Sequence, residues 1–451
     1  MQALFRALTF NAYIELCIVL GTGFFSVLAM AQDSLEPEQL YRNYSADALP
    51  VLSRQGAFPV GVRTLVATNP DQPEMMMPGF LTANRGDRKV TLEIWYPAAQ
   101  ASAEAAVYQN ETRTGRPFAV LGTASRDAAL AAGNKTYPVV ILSHGYTGYR
   151  SIMFYLGEHL ASHGYIVAGI DHPNSTNADI DHLAGPGAGF LDTLYYRSRD
   201  QQFVLDYVSS NLNEDDFPLS LRADPQQAAI IGYSMGGYGA VATIGGCYAF
   251  PDILLAGLAG SDATDVLSKL RQSLNTCAIT AGAESNRVDP RWQAAVLFAP
   301  WGMEQNVFAP ASLARIQVPA LFVAGTDDDV SGYESGVKAL FESLGSASKY
   351  LLSYENARHN IAPHPAPVAA LADEFDLGHY HESAWDAQQL NRINQHFVLA
   401  MLDCHLKKDD AACGLLDLRQ HANQSRNGGV LGEPWPGFPS RYATGMRWDK
   451  Q

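Results

Sequence analysis

A serine, three consecutive aspartates and two histidines stand in an order that can divide the work of nucleophilic acyl transfer. The segment GYSMGG, residues 232–237, follows the apolar run AAII and precedes YGAVATIGG. A strand entering and a helix leaving this segment force a sharp turn, so Ser234 must hold a strained backbone. Side chains two positions to either side would collide there, and Gly232 and Gly236 have none. The result is the G-x-S-x-G nucleophile elbow, which projects a hydroxyl from the carboxyl edge of a sheet. A serine needs a base, and the base needs an orienting carboxylate. With this elbow the order along the chain is Ser, acid, His, on loops after later strands. The stretch GTDDDVSGY follows the apolar run ALFVA and offers Asp328 as the acid, with Asp327 and Asp329 as alternatives. ENARHNIAPHP follows the next apolar run and offers His359 as the base, with His364 as the alternative. The charge that develops on an attacked carbonyl oxygen needs donors. The backbone N–H of Met235 is one candidate, and that of Tyr146, in the loop HGYTG, is the other.

These residues need a scaffold, and the pattern of the chain supplies one. From Tyr137 onward short apolar strands alternate with amphipathic helices. YPVVILS, YIVAGI, AAIIGYS, QAAVLFAP, ALFVAGT and KYLLSYE read as strands. YRSIMFYLGEHLASHG, RDQQFVLDYVSSNL, MGGYGAVATI, YESGVKALFESL and AWDAQQLNRINQHFVLAML read as helices. The alternation predicts an α/β fold, a mostly parallel sheet covered by helices on both faces. VGVRTLVAT and RKVTLEIWYPA add β-rich strands before it, and residues 101–136, polar and Ala-rich without a strong period, read as a surface excursion. With no repeat and no linker, residues 32–451 are expected to form one domain. It carries two decorations, a lid-like insertion at 248–292 and an irregular C-terminal extension at 425–451.

Composition narrows the function classes. The net charge of −15, with no run of Lys or Arg, argues against a nucleic-acid partner, which would require a basic footprint. Residues 1–31 have the form of a signal peptide: Arg6, the apolar core LCIVLGTGFFSVL, and Ala29-Met30-Ala31 as a cleavage site near Ala31. The apolar core is too short for a membrane span, and no later stretch is apolar enough for one. An exported protein, periplasmic or secreted, is expected. Loss of the leader removes Cys17 and leaves Cys247, Cys277, Cys404 and Cys413. An oxidising compartment would allow two bridges among them, with three connectivities, of which neighbour pairing is the simplest. Asp171, His172, Asp179, Asp181 and His182 cluster in DHPNSTNADIDH but fit no standard zinc or calcium spacing. No dinucleotide fingerprint or phosphate-binding loop is present, and neither a metal nor a cofactor is expected.

Together the motifs resemble the α/β-hydrolase superfamily over roughly residues 60–400. GYTGYRSIMFYLGEHLASHGYIVAGIDHPNST, GYSMGG and AAVLFAPW are similar to the bacterial polyesterase–lipase–cutinase group. That resemblance implies an acyl-binding cleft formed by Tyr146, Met235 and Trp301. The segments VGVRTLVAT, RKVTLEIWYPA, SHG and LASHGY look like the platelet-activating-factor acetylhydrolase and dienelactone-hydrolase-like group. The plasma acetylhydrolases take their acid just after the strand matching AVLFAP, where this chain has Ala299. Dienelactone hydrolases use a cysteine where this chain has Ser234. The resemblance implies a serine hydrolase of short-chain or lipid-like carboxylic esters. A polyester hydrolase or a phospholipid acetylhydrolase is the alternative within enzymes. A non-catalytic binding protein on the same scaffold would commonly lack a triad member, and this chain keeps all three.

Overall fold

The computed structural model describes residues 35–76, 80–102, 104–179, 189–212, 217–275, 277, 288–422, 425–426, 430–431, 434–439, 442 and 444–451. The proposed leader, together with Asp181 and His182, lies outside them.

Eleven strands form one mixed sheet. In chain order they are β1 (Val60–Met76), β2 (Phe80–Pro97), β3 (Ala105–Glu111), β4 (Pro117–Arg126), β5 (Tyr137–Ser143), β6 (Ile166–Asp171), β7 (Ala223–Tyr233), β8 (Trp292–Phe298), β9 (Ala320–Gly325), β10 (Lys349–Tyr354) and β11 (Met446–Lys450). Across the sheet the order is β11-β10-β9-β8-β7-β5-β6-β2-β1-β4-β3. The six strands β5 to β10 run parallel to their neighbours in this group. They are the apolar runs read from the sequence, and their burial on both faces accounts for the missing polar alternation.

Successive residues of β5 feed opposite cores. Val140 and Leu142 join one core with Leu156 and Leu160 of α1 (Phe154–Ser162). Val139 and Ile141 join the other with Leu194 and Val204 of α2 (Phe190–Asp206) and Tyr238 of α3 (Met235–Thr243). In the inserted stretch, α4 (Asp252–Ala259) and α5 (Thr264–Leu274) set Leu255, Leu270 and Leu274 into this second core. The long helix α6 (Ala387–His405) packs Ile393, Phe397 and Met401 into the first. Helices thus cover both faces, and the chain has the α/β-hydrolase fold. Residues Glu36–Gln451 form one compact unit.

Two stretches differ from the sequence reading. Residues 105–111 and 117–126, expected within a surface excursion, are strands that extend the sheet beyond β1. Phe118, Val120 and Ala124 of β4 are buried in the first core, so this hairpin serves it. Residues 446–450, expected within an irregular tail, pair antiparallel with β10 along its outer edge. Trp448 is buried there and stacks on Phe397 at 4.9 Å, which covers an edge that would otherwise offer free backbone groups.

The four described cysteines form two disulfides between neighbours, Cys247–Cys277 and Cys404–Cys413. The first ties the start of the insertion to its middle, and the second ties α6 to the short helical turn Asp410–Gly414. No helix among the described residues is long and apolar enough to cross a membrane.

Candidate active site

Ser234 links β7 to α3 with φ of 52° and ψ of −113°, outside the ordinary regions for a residue with a side chain. A conformation of this kind costs ~1–3 kcal/mol and persists only where its surroundings dictate it. Here the Ser234 N–H donates to the Phe298 carbonyl at 2.9 Å, while the Ser234 carbonyl accepts from Tyr238 and Trp301. The flanking glycines are steric requirements. A Cβ on Gly236 would lie 2.0 Å from the Ser143 carbonyl oxygen, and one on Gly232 would lie 2.4 Å from the Gly236 oxygen.

Three of the expected side chains form a single hydrogen-bonded chain. Ser234 Oγ lies 2.9 Å from His359 Nε2, and His359 Nδ1 lies 3.0 Å from both carboxylate oxygens of Asp328. All three residues are buried. The Asp328 Oδ1 atom also accepts from the backbone N–H groups of Val330 and Ser331, both at 2.9 Å. Burial pushes the Asp328 carboxyl up, but the hydrogen bond and charge of His359 and these two N–H donors outweigh it. The carboxyl is held below its ordinary value.

The alternative residues stand outside this hydrogen-bonded chain. Asp327 is exposed, and Asp329 is exposed and forms an ion pair with Arg358. His364 is buried away from Ser234, between the Tyr149 hydroxyl at 2.7 Å and the Pro365 carbonyl, and burial pushes it down to about 4.

The N–H of Met235 opens α3, where the first turn's donors lack intrahelical acceptors. Gly145, beside Tyr146, approaches so closely that a Cβ there would lie 3.2 Å from Ser234 Cβ. The loop that carries Tyr146 therefore passes directly over the elbow. Tyr146, Met235 and Trp301 line a cavity of about 480 Å³ together with Ser234 and His359. Phe190, at the start of α2, joins the two aromatic walls. Its ring centroid is 5.2 Å from that of Tyr146 and 6.0 Å from that of Trp301, both edge to face. Trp301 also rests on Tyr238, which stacks at 4.4 Å on Tyr248 of the insertion. None of the described residues of 248–292 lines the cavity; that role falls to a later segment, 374–383.

Several residues at this site carry no motif in the sequence. Glu382 is buried and accepts from the backbone N–H groups of Arg358 and Asn360, each at 2.6 Å. It thereby clamps the loop on both sides of His359. Phe190 follows the Gly- and Ala-rich run GPGAG, which has no period to mark the start of a helix. Arg113, His379 and His381 also line the cavity from loops. Residue type alone would have singled out the histidines, but not their placement.

The residues weighed as metal ligands have other partners. Asp171 pairs with Arg150, His172 bridges Ser143 and Asp200, and Asp179 accepts from Thr176. Among the described residues no group of three or more His, Cys, Asp or Glu is arranged to hold a metal ion.

Comparison with known proteins finds similarity to ester hydrolases. A family profile described as PET hydrolase-like matches residues 127–246, and one described as platelet-activating factor acetylhydrolase, isoform II, matches residues 45–182. Cutinase 2 of Thermobifida cellulosilytica is 26% identical over 227 residues, which cover 50% of this chain and 62% of the cutinase. The platelet-activating factor acetylhydrolase of Cavia porcellus is 30% identical over 148 residues, covering 26% of this chain and 34% of that enzyme. A ferulic acid esterase from Streptomyces cinnamoneus superposes with a TM-score of 0.51 at 20% identity. The match covers 78% of this chain and 91% of the esterase, and it shows the shared fold. The chain spans between about half and 62% of the length of the first cutinases it matches. The chain thus resembles both polyesterases and platelet-activating-factor acetylhydrolases.

Proposed function

We propose that this protein is an exported serine hydrolase of carboxylic esters. One observation carries the reading: the unbroken hydrogen-bonded chain Asp328–His359–Ser234, which ends at a strained elbow inside a cavity. In this mechanism Ser234 Oγ attacks the ester carbonyl carbon while His359 Nε2 takes its proton. Asp328 fixes the Nδ1–H tautomer and stabilises the imidazolium that forms. The N–H groups of Met235 and Tyr146 hold the oxyanion. His359 then gives its proton to the leaving alcohol, and water, activated by the same imidazole, releases the acid from the acyl-enzyme. The two disulfides support export, because disulfides persist in oxidising compartments.

The substrates fitting this site are small esters with an apolar or aromatic acyl group. Tyr146, Phe190, Trp301 and Met235 make a slot suited to such a group. The polyester reading draws on the same aromatic residues and on the cutinase relatives. A fluorophosphonate probe tests the enzyme class: it should label the folded protein and fail to label Ser234→Ala. Absence of labelling on the folded wild type sinks the hydrolase reading. A panel of p-nitrophenyl esters and a polyester film tests the substrate. Short acyl chains should turn over readily, with weak or no release from the film. Robust film hydrolysis with little short-chain activity would assign the protein to polyesters instead.

A further inference from the structure

The cavity has a second set of lining residues whose chemistry differs from that of the aromatic slot. Arg113 stands in the turn between β3 and β4, with its guanidinium carbon 5.2 Å from the centroid of the Phe375 ring. Its Nε donates to Thr147 Oγ1 at 3.1 Å, in the loop that carries Tyr146. Among the described residues its two terminal nitrogens have no hydrogen-bond acceptor, and no carboxylate lies within ion-pair distance of it. The neighbouring Asp376 is hydrogen-bonded by Thr112 and Thr114, with Arg116 at 3.9 Å, and its charge acts on Arg113 only from beyond ion-pair distance. Arg358, the other arginine of the cavity, is already paired with Asp329.

Arg113 is half-buried, and a guanidinium partly withdrawn from water and lacking an ion-pair partner gains from an anion that neutralises it. Burial accordingly pushes the Arg113 pKa down. On the same cavity wall His379 is buried, and its Nδ1 has no partner. Burial, helped by the charge on Arg113, keeps that imidazole neutral. Arg113 and His379 thus stand on the wall of a cavity that also contains Ser234 and His359.

We propose that Arg113 is the anion-recognition residue of this cavity and that the preferred substrates are esters whose leaving alcohol carries a carboxylate. The proposal rests on the ester-hydrolase reading above. With Nε held by Thr147, the two terminal nitrogens remain to bind an anion, and guanidinium and carboxylate suit each other as a planar pair. The apolar slot is poor for a charge, so the anion belongs on the alcohol side of the scissile bond. Glu374 also lines the cavity, which favours a singly charged carboxylate over a phosphate dianion.

The experiment compares 4-acetoxybenzoate with its neutral methyl ester as substrates for the wild type, Arg113→Gln and Arg113→Lys. For each protein the ratio of the two kcat/KM values is taken, and comparing that ratio between proteins cancels the intrinsic reactivity of each ester. The ratio should fall about tenfold or more in Arg113→Gln, with partial retention in Arg113→Lys, as expected for a lost charge-assisted contact. The loss should sit mainly in KM for the anionic ester. If Arg113 only supports the Thr147 loop, both esters slow together and the ratio is unchanged, which overturns the proposal. A second arm compares p-nitrophenyl hemisuccinate with p-nitrophenyl butyrate. Dependence on Arg113 in this arm alone would overturn the placement of the anion on the leaving group. Fluorophosphonate labelling of the wild type separates the two levels. A labelled enzyme with an unchanged ratio fails only the Arg113 proposal, whereas an unlabelled, inactive protein fails the hydrolase reading itself.

Discussion

At the scale of single residues, the site divides into groups that would react and groups that hold them. Ser234→Ala and His359→Ala should each lower kcat by about four to six orders of magnitude, since members of such a unit fail together. Asp328→Asn should cost less, on the order of 10⁴-fold, because the amide cannot stabilise the imidazolium and favours the wrong tautomer. Asp329→Asn should be nearly silent, since its ion pair with Arg358 is exposed and screened by solvent. Kinetics on p-nitrophenyl butyrate decide the matter, and a severe Asp329→Asn phenotype beside an active Asp328→Asn would remove Asp328 from the unit. Glu382 makes a different prediction, because it touches the loop around His359 through two N–H groups. Glu382→Ala should lower kcat with little change in KM, and Glu382→Gln, which retains an acceptor, should recover part of the loss. An effect confined to KM would make Glu382 a substrate contact instead of a positioning residue.

Elements bring these residues together, and they differ in how legibly the sequence encodes them. The parallel strands β5 to β10 are readable because both faces are buried, and a continuous apolar run such as YPVVILS has few other uses. The elbow is readable because Gly232 and Gly236 satisfy steric demands within five residues of each other. The hairpin β3–β4 is obscured because β4 is buried unevenly and flanked by polar turns. Strand β11 is only five residues long, follows a Gly- and Pro-rich run, and depends on a distant edge for pairing. Phe190 is hidden for a related reason: its partners Tyr146 and Trp301 lie about 45 and 110 residues away, a relation that local periodicity does not encode. The slot is therefore a product of three elements, and its walls should be coupled. Trp301→Ala should weaken turnover of aromatic acyl esters more than that of acetate. Phe190→Ala should do the same, and the double variant should lose less than the sum of the two. Strict additivity in kcat/KM across the p-nitrophenyl series would show that Phe190 does not support Trp301.

Across the whole molecule, buried histidines determine how acid acts on the fold. His144, His159, His172, His364, His379 and His396 are all buried, and burial pushes each below its ordinary value, His172 and His396 to about 3 and His364 to about 4. The unfolded chain protonates its histidines below pH ~6.5, whereas the folded chain leaves these neutral until well below that. Unfolding therefore takes up protons, and stability falls as pH drops from about 6.5 toward 4. Each such group contributes a slope of ~1.4 kcal/mol per pH unit. The three that titrate near 3 to 4 alone give ~4 kcal/mol per unit, against a total margin of ~5–15 kcal/mol. Burial also raises the carboxyls of Asp171, Asp192 and Glu382. These groups take up protons in the folded state first and offset part of the loss, but only as pH approaches the carboxylate range. The expected outcome is a melting temperature nearly constant from pH 8 to 7 and falling steeply below pH 6.5, with cooperative unfolding at room temperature before pH 4. His396→Gln, which removes one titrating ring far from Ser234, should flatten the descent by about one proton's slope even if it lowers stability at pH 7. A melting temperature that stays level from pH 7 to 4.5 would mean that these imidazoles are not held neutral in the fold.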